Sequence, residues 1–126
     1  MSTANLQLPN DKKITRLPVH IAVFVPSTKN VSQGITPKQM NMRIKSTVRF
    51  LNSKFGGSTM VKGTGSFTTD QGRIVDEKIV RVETYTTVRD YRASKKALIA
   101  WLKNKKRVWG QESIGFEFEE DFHFVS

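Results

Sequence analysis

"KFGGSTMVKGTGSF", residues 54–67, places four glycines in fourteen positions. Such a stretch is either a cradle for phosphate or a bend between two elements, and its flanks decide. Upstream, "TPKQ" (residues 36–39) opens a helix: Thr36 suits the N-cap, Pro37 the first helical position, and Gln39 completes a capping box. Met40, Ile44, Thr47, Val48, Leu51 and Phe55 then recur at helical spacing as one apolar stripe, with Lys38, Lys45 and Arg49 opposite. Gly56-Gly57 ends that helix. Downstream, "STMVKGTGSFTT" reads as a strand. A dinucleotide fingerprint needs the reverse order, strand then glycines then helix, so that the pyrophosphate meets the positive end of a helix. Here it would meet the negative end. The Gly-Lys-Ser/Thr of a P-loop is also missing. Gly56 and Gly57 are therefore a helix stop. Gly63 and Gly65, two apart in a strand, share one face and permit close approach by a backbone or a flat ligand.

Working outward, "HIAVFVP" (residues 20–26) reads as a buried strand closed by Pro26, and "STKNVSQG" as the loop after it. "RIVDEKIVRVETYTT" (73–87) pairs with the glycine-bearing strand through a short turn at "TDQG". Val80, Val82 and Thr84 alternate with Arg81, Glu83 and Tyr85, one face dry and one wet. A second helix is expected over Asp90–Trp109, capped by Thr87 or Asp90, with Tyr91, Leu98, Trp101, Leu102, Val108 and Trp109 on its apolar face. "SIGFEFEEDFHFV" (113–125) closes the chain as one strand, bent or bulged where Glu120 breaks the alternation. The order strand, helix, strand, strand, helix, strand predicts an α+β ferredoxin-like βαββαβ domain over residues 17–126: a four-stranded antiparallel sheet with two helices on one face. Residues 1–16, polar and without period, are expected to form a flexible arm.

Charge is unevenly spread over the 126 residues. Residues 1–62 hold ten Lys/Arg against one acid, Asp11, whereas residues 110–126 hold five acids and no Lys or Arg; the net charge is +10. The second helix collects Arg92, Lys95, Lys96, Lys103, Lys106 and Arg107 within about a third of its circumference. Lys105 falls on its apolar side and is expected to snorkel, and Ile99 sits inside the basic stripe. Such a stripe suits a polyanion. The leading expectation is thus a non-catalytic basic protein that binds nucleic acid through Arg92, Lys95, Lys96, Lys103, Lys106 and Arg107, joined by Lys38, Lys45 and Arg49. The aromatic signature of an RNA-recognition sheet is missing, since Tyr85 is the single ring on the third strand and Phe24 the one on the first. An alternative is an interaction module, a phage- or plasmid-type regulator or inhibitor, that binds a protein partner or a second copy through the open sheet face or the acidic C-terminal strand. A third reading is a pocket for a small phosphorylated ligand formed by Ser27, Thr28 and Lys29 of the loop with Gly63 and Gly65 of the strand.

Catalytic candidates are few. There is no cysteine, and His20 and His123 stand far apart, so no zinc site and no cofactor are expected. His123 alternates with Phe122 and Phe124, which places it on the wet side of the last strand. No nucleophile and base pair can be named, and the reading leans away from an enzyme. Glu77, Glu83, Glu117 and Glu119 are expected to cluster with Arg81 on a wet sheet face, as ion pairs or as a magnesium or basic-partner site, and Gln111 and Glu112 to point to the end of the sheet. No apolar run reaches the roughly 20 residues of a membrane span, and the first residues lack the apolar middle of a secretory signal, so a cytoplasmic protein with no membrane partner is expected. "NVS" at residues 30–32 is a glycosylation sequon by letter only.

With those pieces in place, "VFVPST", "FGGSTMVKGTGSF", "DQGRIVDEKIVRVETYT" and "GQESI" resemble a set of small uncharacterised bacterial, plasmid and phage proteins sharing a VPST…FGGxT…GxG…GQES pattern over roughly residues 20–125. No known activity and no functional residue come with that resemblance. It implies a set order of glycines and acids and a phage or mobile-element origin.

Overall fold

The computed structural model describes residues 8–30, 33–119 and 121–126. Residues 1–7 of the expected arm, and Val31 and Ser32 of the first loop, lie outside that range. Strand β1 (Val19–Pro26) is followed by two short strands, β2 (Thr28–Lys29) and β3 (Gln33–Gly34), which pair with each other. Helix α1 (Pro37–Phe55), β4 (Thr59–Thr68), β5 (Ile74–Thr86), α2 (Val88–Val108), β6 (Ile114–Phe118) and β7 (Asp121–Val125) complete the chain. The large sheet runs β4-β5-β1-β6-β7 with every neighbouring pair antiparallel.

The expected four-stranded sheet is therefore corrected to five strands. The last strand does not merely bend: it reverses after Glu119, whose φ of 59° is left-handed, and β7 pairs back onto β6. Glu120, where the sequence placed the break in alternation, lies outside the described residues. Within the described part of the loop "STKNVSQG", β2 pairs with β3, and Asn30 adopts φ 49° with its backbone N–H donating to Gly110 O at 2.9 Å.

Local chemistry sets the helix ends. The Thr36 hydroxyl accepts from the Gln39 N–H at 3.1 Å while the Gln39 side chain accepts from the Thr36 N–H at 2.9 Å, satisfying two orphan donors of α1. At the other end Gly56 adopts φ 95°, which a residue with a Cβ resists. Thr87, rather than Asp90, caps α2.

Alternation along the strands divides the sheet into two faces. One carries Val19, Ile21, Val23 and Val25 of β1, Val80 and Val82 of β5, and Ile114 and Phe116 of β6. Leu51 and Phe55 of α1 and Leu98 and Leu102 of α2 pack onto it in a single core. Both helices thus cover this face, as the apolar stripes imply. Val108 departs from its stripe and is exposed. Lys105 stays half-buried with its ammonium 5.8 Å from the centre of the Trp101 ring, the predicted snorkel.

Candidate active site on the open face of the sheet

Among the described residues no helix covers the second face of the sheet. Its residues follow from register. His20, Ala22, Phe24 and Pro26 of β1 stand across from Tyr85, Glu83, Arg81 and Ile79 of β5. Outside these, Gly65 of β4 lies opposite Glu77, and Phe122 of β7 lies opposite Glu117 of β6. Two regions result, one ionic and one aromatic.

The ionic region holds part of the acid cluster expected from the sequence, Glu83 and Glu117 with Arg81, and adds His20; Glu77 lies instead beside the aromatic hollow, and Glu119 contributes its backbone carbonyl. Arg81 Nη2 is 3.0 Å from both Glu83 Oε2 and Glu117 Oε2. His20 Nε2 is 2.8 Å from Glu83 Oε2, and its Nδ1 is 3.2 Å from the Glu119 carbonyl oxygen. The ring of Tyr85 lies 4.6 Å from that of His20. Arg81 Nε is buried with no hydrogen-bond partner among the described residues. Sequence reasoning took His20 for the opening of a strand; its place beside Glu83 needed the register, which the sequence does not print. Among the described residues no three His, Asp or Glu side chains converge as metal ligands.

The aromatic region is a hollow of about 380 Å³. Phe24, Phe67, Phe122 and Phe124 line it, and Glu77 and Gln111 supply polar atoms at its rim. Two glycines shape its floor. A Cβ on Gly115 would collide with the Phe122 ring, and one on Gly65 would lie 2.6 Å from Ile79 Cδ1. Phe24 and Phe122 meet with ring centres 5.2 Å apart, and Phe122 and Phe124 at 4.8 Å, edge to face. The His123 expectation is corrected here. The two phenylalanines hold the open face, and His123 turns to the helix side, 5.3 Å from the Phe116 ring. Phe124 remains 67% exposed, so the hollow is open to a ligand.

A hydrogen-bonded strut holds the rim. Thr28 donates its hydroxyl to Glu77 Oε1 at 2.9 Å. The Thr28 carbonyl accepts from Arg43 Nη1 at 2.8 Å and from Gln111 Nε2 at 2.6 Å. Arg43, 7% exposed, also donates to Pro26 O at 2.7 Å and Trp109 O at 3.2 Å, with its guanidinium 5.5 Å from the centre of the Trp109 ring. Burial pulls the Arg43 guanidinium below its ordinary pKa, and the negative charge of Glu77 opposes that shift. Arg43 was missed in the sequence. The signal was present, because Arg43, Thr47, Leu51 and Phe55 fall four apart on one helix row, and all four are buried.

The other predicted site residues are dispersed. Ser27 and Gly63 line a separate cleft beside the start of α1, while Gly65 belongs to the aromatic hollow; Thr28 braces Glu77, and Lys29 faces a third cleft near Gly110. The structure does not bring these five residues into one pocket. Arg92, Lys95, Lys96, Lys103 and Arg107 on α2, and Lys38, Lys45 and Arg49 on α1, are exposed, and Lys106 is half-buried. They project from the helix layer, on the far side of the sheet from the open face.

No family model and no curated protein matches the chain. Two solved structures share its fold. One is a phage SAM lyase in complex with S-methyl-5'-thioadenosine: TM-score 0.60 and 17% identity, covering 91% of this chain and 94% of that one. The other is a phage SAM lyase in the apo state: TM-score 0.59 and 18% identity, covering 90% and 94%. These likenesses overturn the expectation of a non-catalytic nucleic-acid binder. The basic helix faces carry solvated lysines, whereas the ionic and aromatic groups lie on the opposite side of the sheet. At this level of identity the fold is what is shared, and in this chain it is two helices against a five-stranded antiparallel sheet.

Proposed function

We propose that this chain is an enzyme, a lyase that cleaves S-adenosylmethionine and releases S-methyl-5'-thioadenosine. The observation that carries the reading is the coincidence of that fold, over nine-tenths of both chains, with an aromatic hollow bearing one acid at its rim. The sheet is read as the expected βαββαβ layer, β4-β5-β1-β6, extended by β7, and a phage origin fits the relatives in fold.

The hollow suits the ligand chemically. Its volume is in the range of small-molecule sites, which run from about 300 Å³ upward. Phenylalanine faces stack on a purine, for about 1–3 kcal/mol per base. A sulfonium is a cation, which aromatic faces and a carboxylate both attract. Glu77 is the acid placed to face it.

The bond to be broken asks little of the protein. The leaving group is already activated by its positive charge. As the carbon–sulfur bond to the aminobutyryl group parts, the substrate's own carboxylate closes on that carbon to form a lactone, the bonding pair of the broken bond passes to sulfur and a neutral thioether departs. Charge is dispersed in that transition state, so a pocket that sheds water favours it over the solvated reactant. No nucleophile paired with a base is required of the protein, so the lack of such a pair in the sequence does not count against the reaction.

Purified protein incubated with S-adenosylmethionine is expected to yield S-methyl-5'-thioadenosine, read by chromatography, and Glu77→Gln to lower the rate about hundredfold or more. A folded wild-type protein that produces none would overturn the proposal.

A further inference from the structure

Glu77 sits near the start of β5, and a strand carboxylate with free rotation would sweep out into solvent. The fold prevents this by an unusual route. The residue that holds Glu77 is not on a neighbouring strand of the sheet but in β2, just past the end of β1. Thr28 reaches it with its hydroxyl at 2.9 Å. Thr28 is in turn fixed from behind: its carbonyl takes one bond from Arg43 of α1 and another from Gln111 after α2. Arg43 meanwhile grips the carbonyls of Pro26 and Trp109, so one buried guanidinium ties the end of β1, β2 and the end of α2 together.

We infer that Thr28 is a positioning residue, which orients the Glu77 carboxylate toward the aromatic hollow and is held in register by Arg43. The inference deepens the proposed lyase reading and rests on it. Thr28 acts through Glu77. Its hydroxyl can donate only one proton, which occupies Oε1 and fixes the plane of the carboxylate, leaving Oε2 with its lone pairs for the ligand. A carboxylate set this way loses little entropy when the cation arrives.

The test compares Thr28→Val, which keeps the branched shape and removes the donor, with Thr28→Ser, which keeps the donor. Thr28→Val is expected to lower kcat about ten- to hundredfold, the scale of a misplaced group, while KM changes less than about threefold. Thr28→Ser is expected to stay within about threefold of wild type. Arg43→Lys, whose ammonium cannot span three carbonyls in a plane, is expected to lower kcat in the same direction as Thr28→Val. Equal kcat in wild type and Thr28→Val, with Glu77→Gln inactive, would overturn the positioning role and leave the lyase reading standing. A wild type inert toward S-adenosylmethionine would overturn both. Matching losses in Thr28→Val and Thr28→Ser would also overturn it, since the hydroxyl would then be irrelevant.

Discussion

Replacing Arg43 by Met tests the strut at its root. Methionine keeps much of the aliphatic stem; what is lost is the charged fork. Three carbonyls lose a donor, but not equally. Gln111 Nε2 also donates to Thr28 O at 2.6 Å and to Trp109 O at 3.0 Å, so those two keep a partner. Gln111 makes no bond to Pro26 O, which loses its 2.7 Å charged donor. An orphaned buried acceptor costs about 1–3 kcal/mol, and the lost approach to the Trp109 ring adds about 1 kcal/mol. The guanidinium no longer has to be desolvated, which offsets part of this. The expected net loss is about 1–3 kcal/mol. Urea denaturation followed by tryptophan fluorescence should show a lower midpoint with an unchanged slope. A loss under about 0.5 kcal/mol would refute the claim that Arg43 ties β1, β2 and α2 together.

Other outcomes follow from the same geometry. Leu51→Ala and Leu102→Ala, both at 0% exposure, should each cost about 2–5 kcal/mol in the same assay. Thr36→Ala removes the capping hydroxyl and should cost about 1 kcal/mol, whereas Thr36→Ser should be nearly neutral. Gly56→Ala places a Cβ at φ 95° and should cost about 1–2 kcal/mol. S-methyl-5'-thioadenosine at a hundred times its dissociation constant should stabilise the protein by about 2.7 kcal/mol in a thermal melt, and that gain should shrink in Phe122→Ala.

The elements that read well from the sequence are those specified locally. The capping box at Thr36, the glycine stop at Gly56 and the alternation from Val80 to Tyr85 are each set by a few neighbouring residues, and all are found. The hairpin at the end of the chain read as one bent strand, because a period-two pattern continues with the same appearance after a reversal. Phe122 and Phe124 were assigned to the dry side for that reason. Their exposure on the open face follows from the pairing of β7 with β6, which is non-local. The site was legible only in fragments. Gly65, Glu77, Thr28 and Gln111 were each singled out, but no spacing links residues that come together from β4, β5, β2 and the turn after α2. The density of lysine drew attention to the helices, where charge serves a solvated surface. The aromatic hollow went unnoticed because its four phenylalanines come from β1, β4 and β7.

The central claim places the ligand on the open face of the sheet. A crystal structure with S-methyl-5'-thioadenosine tests it most directly. The account predicts the adenine against Phe67, Phe122 and Phe124, with the thioether sulfur turned toward Glu77. Ligand seated instead on the helix side, or no binding by a folded protein at millimolar concentration, would contradict it.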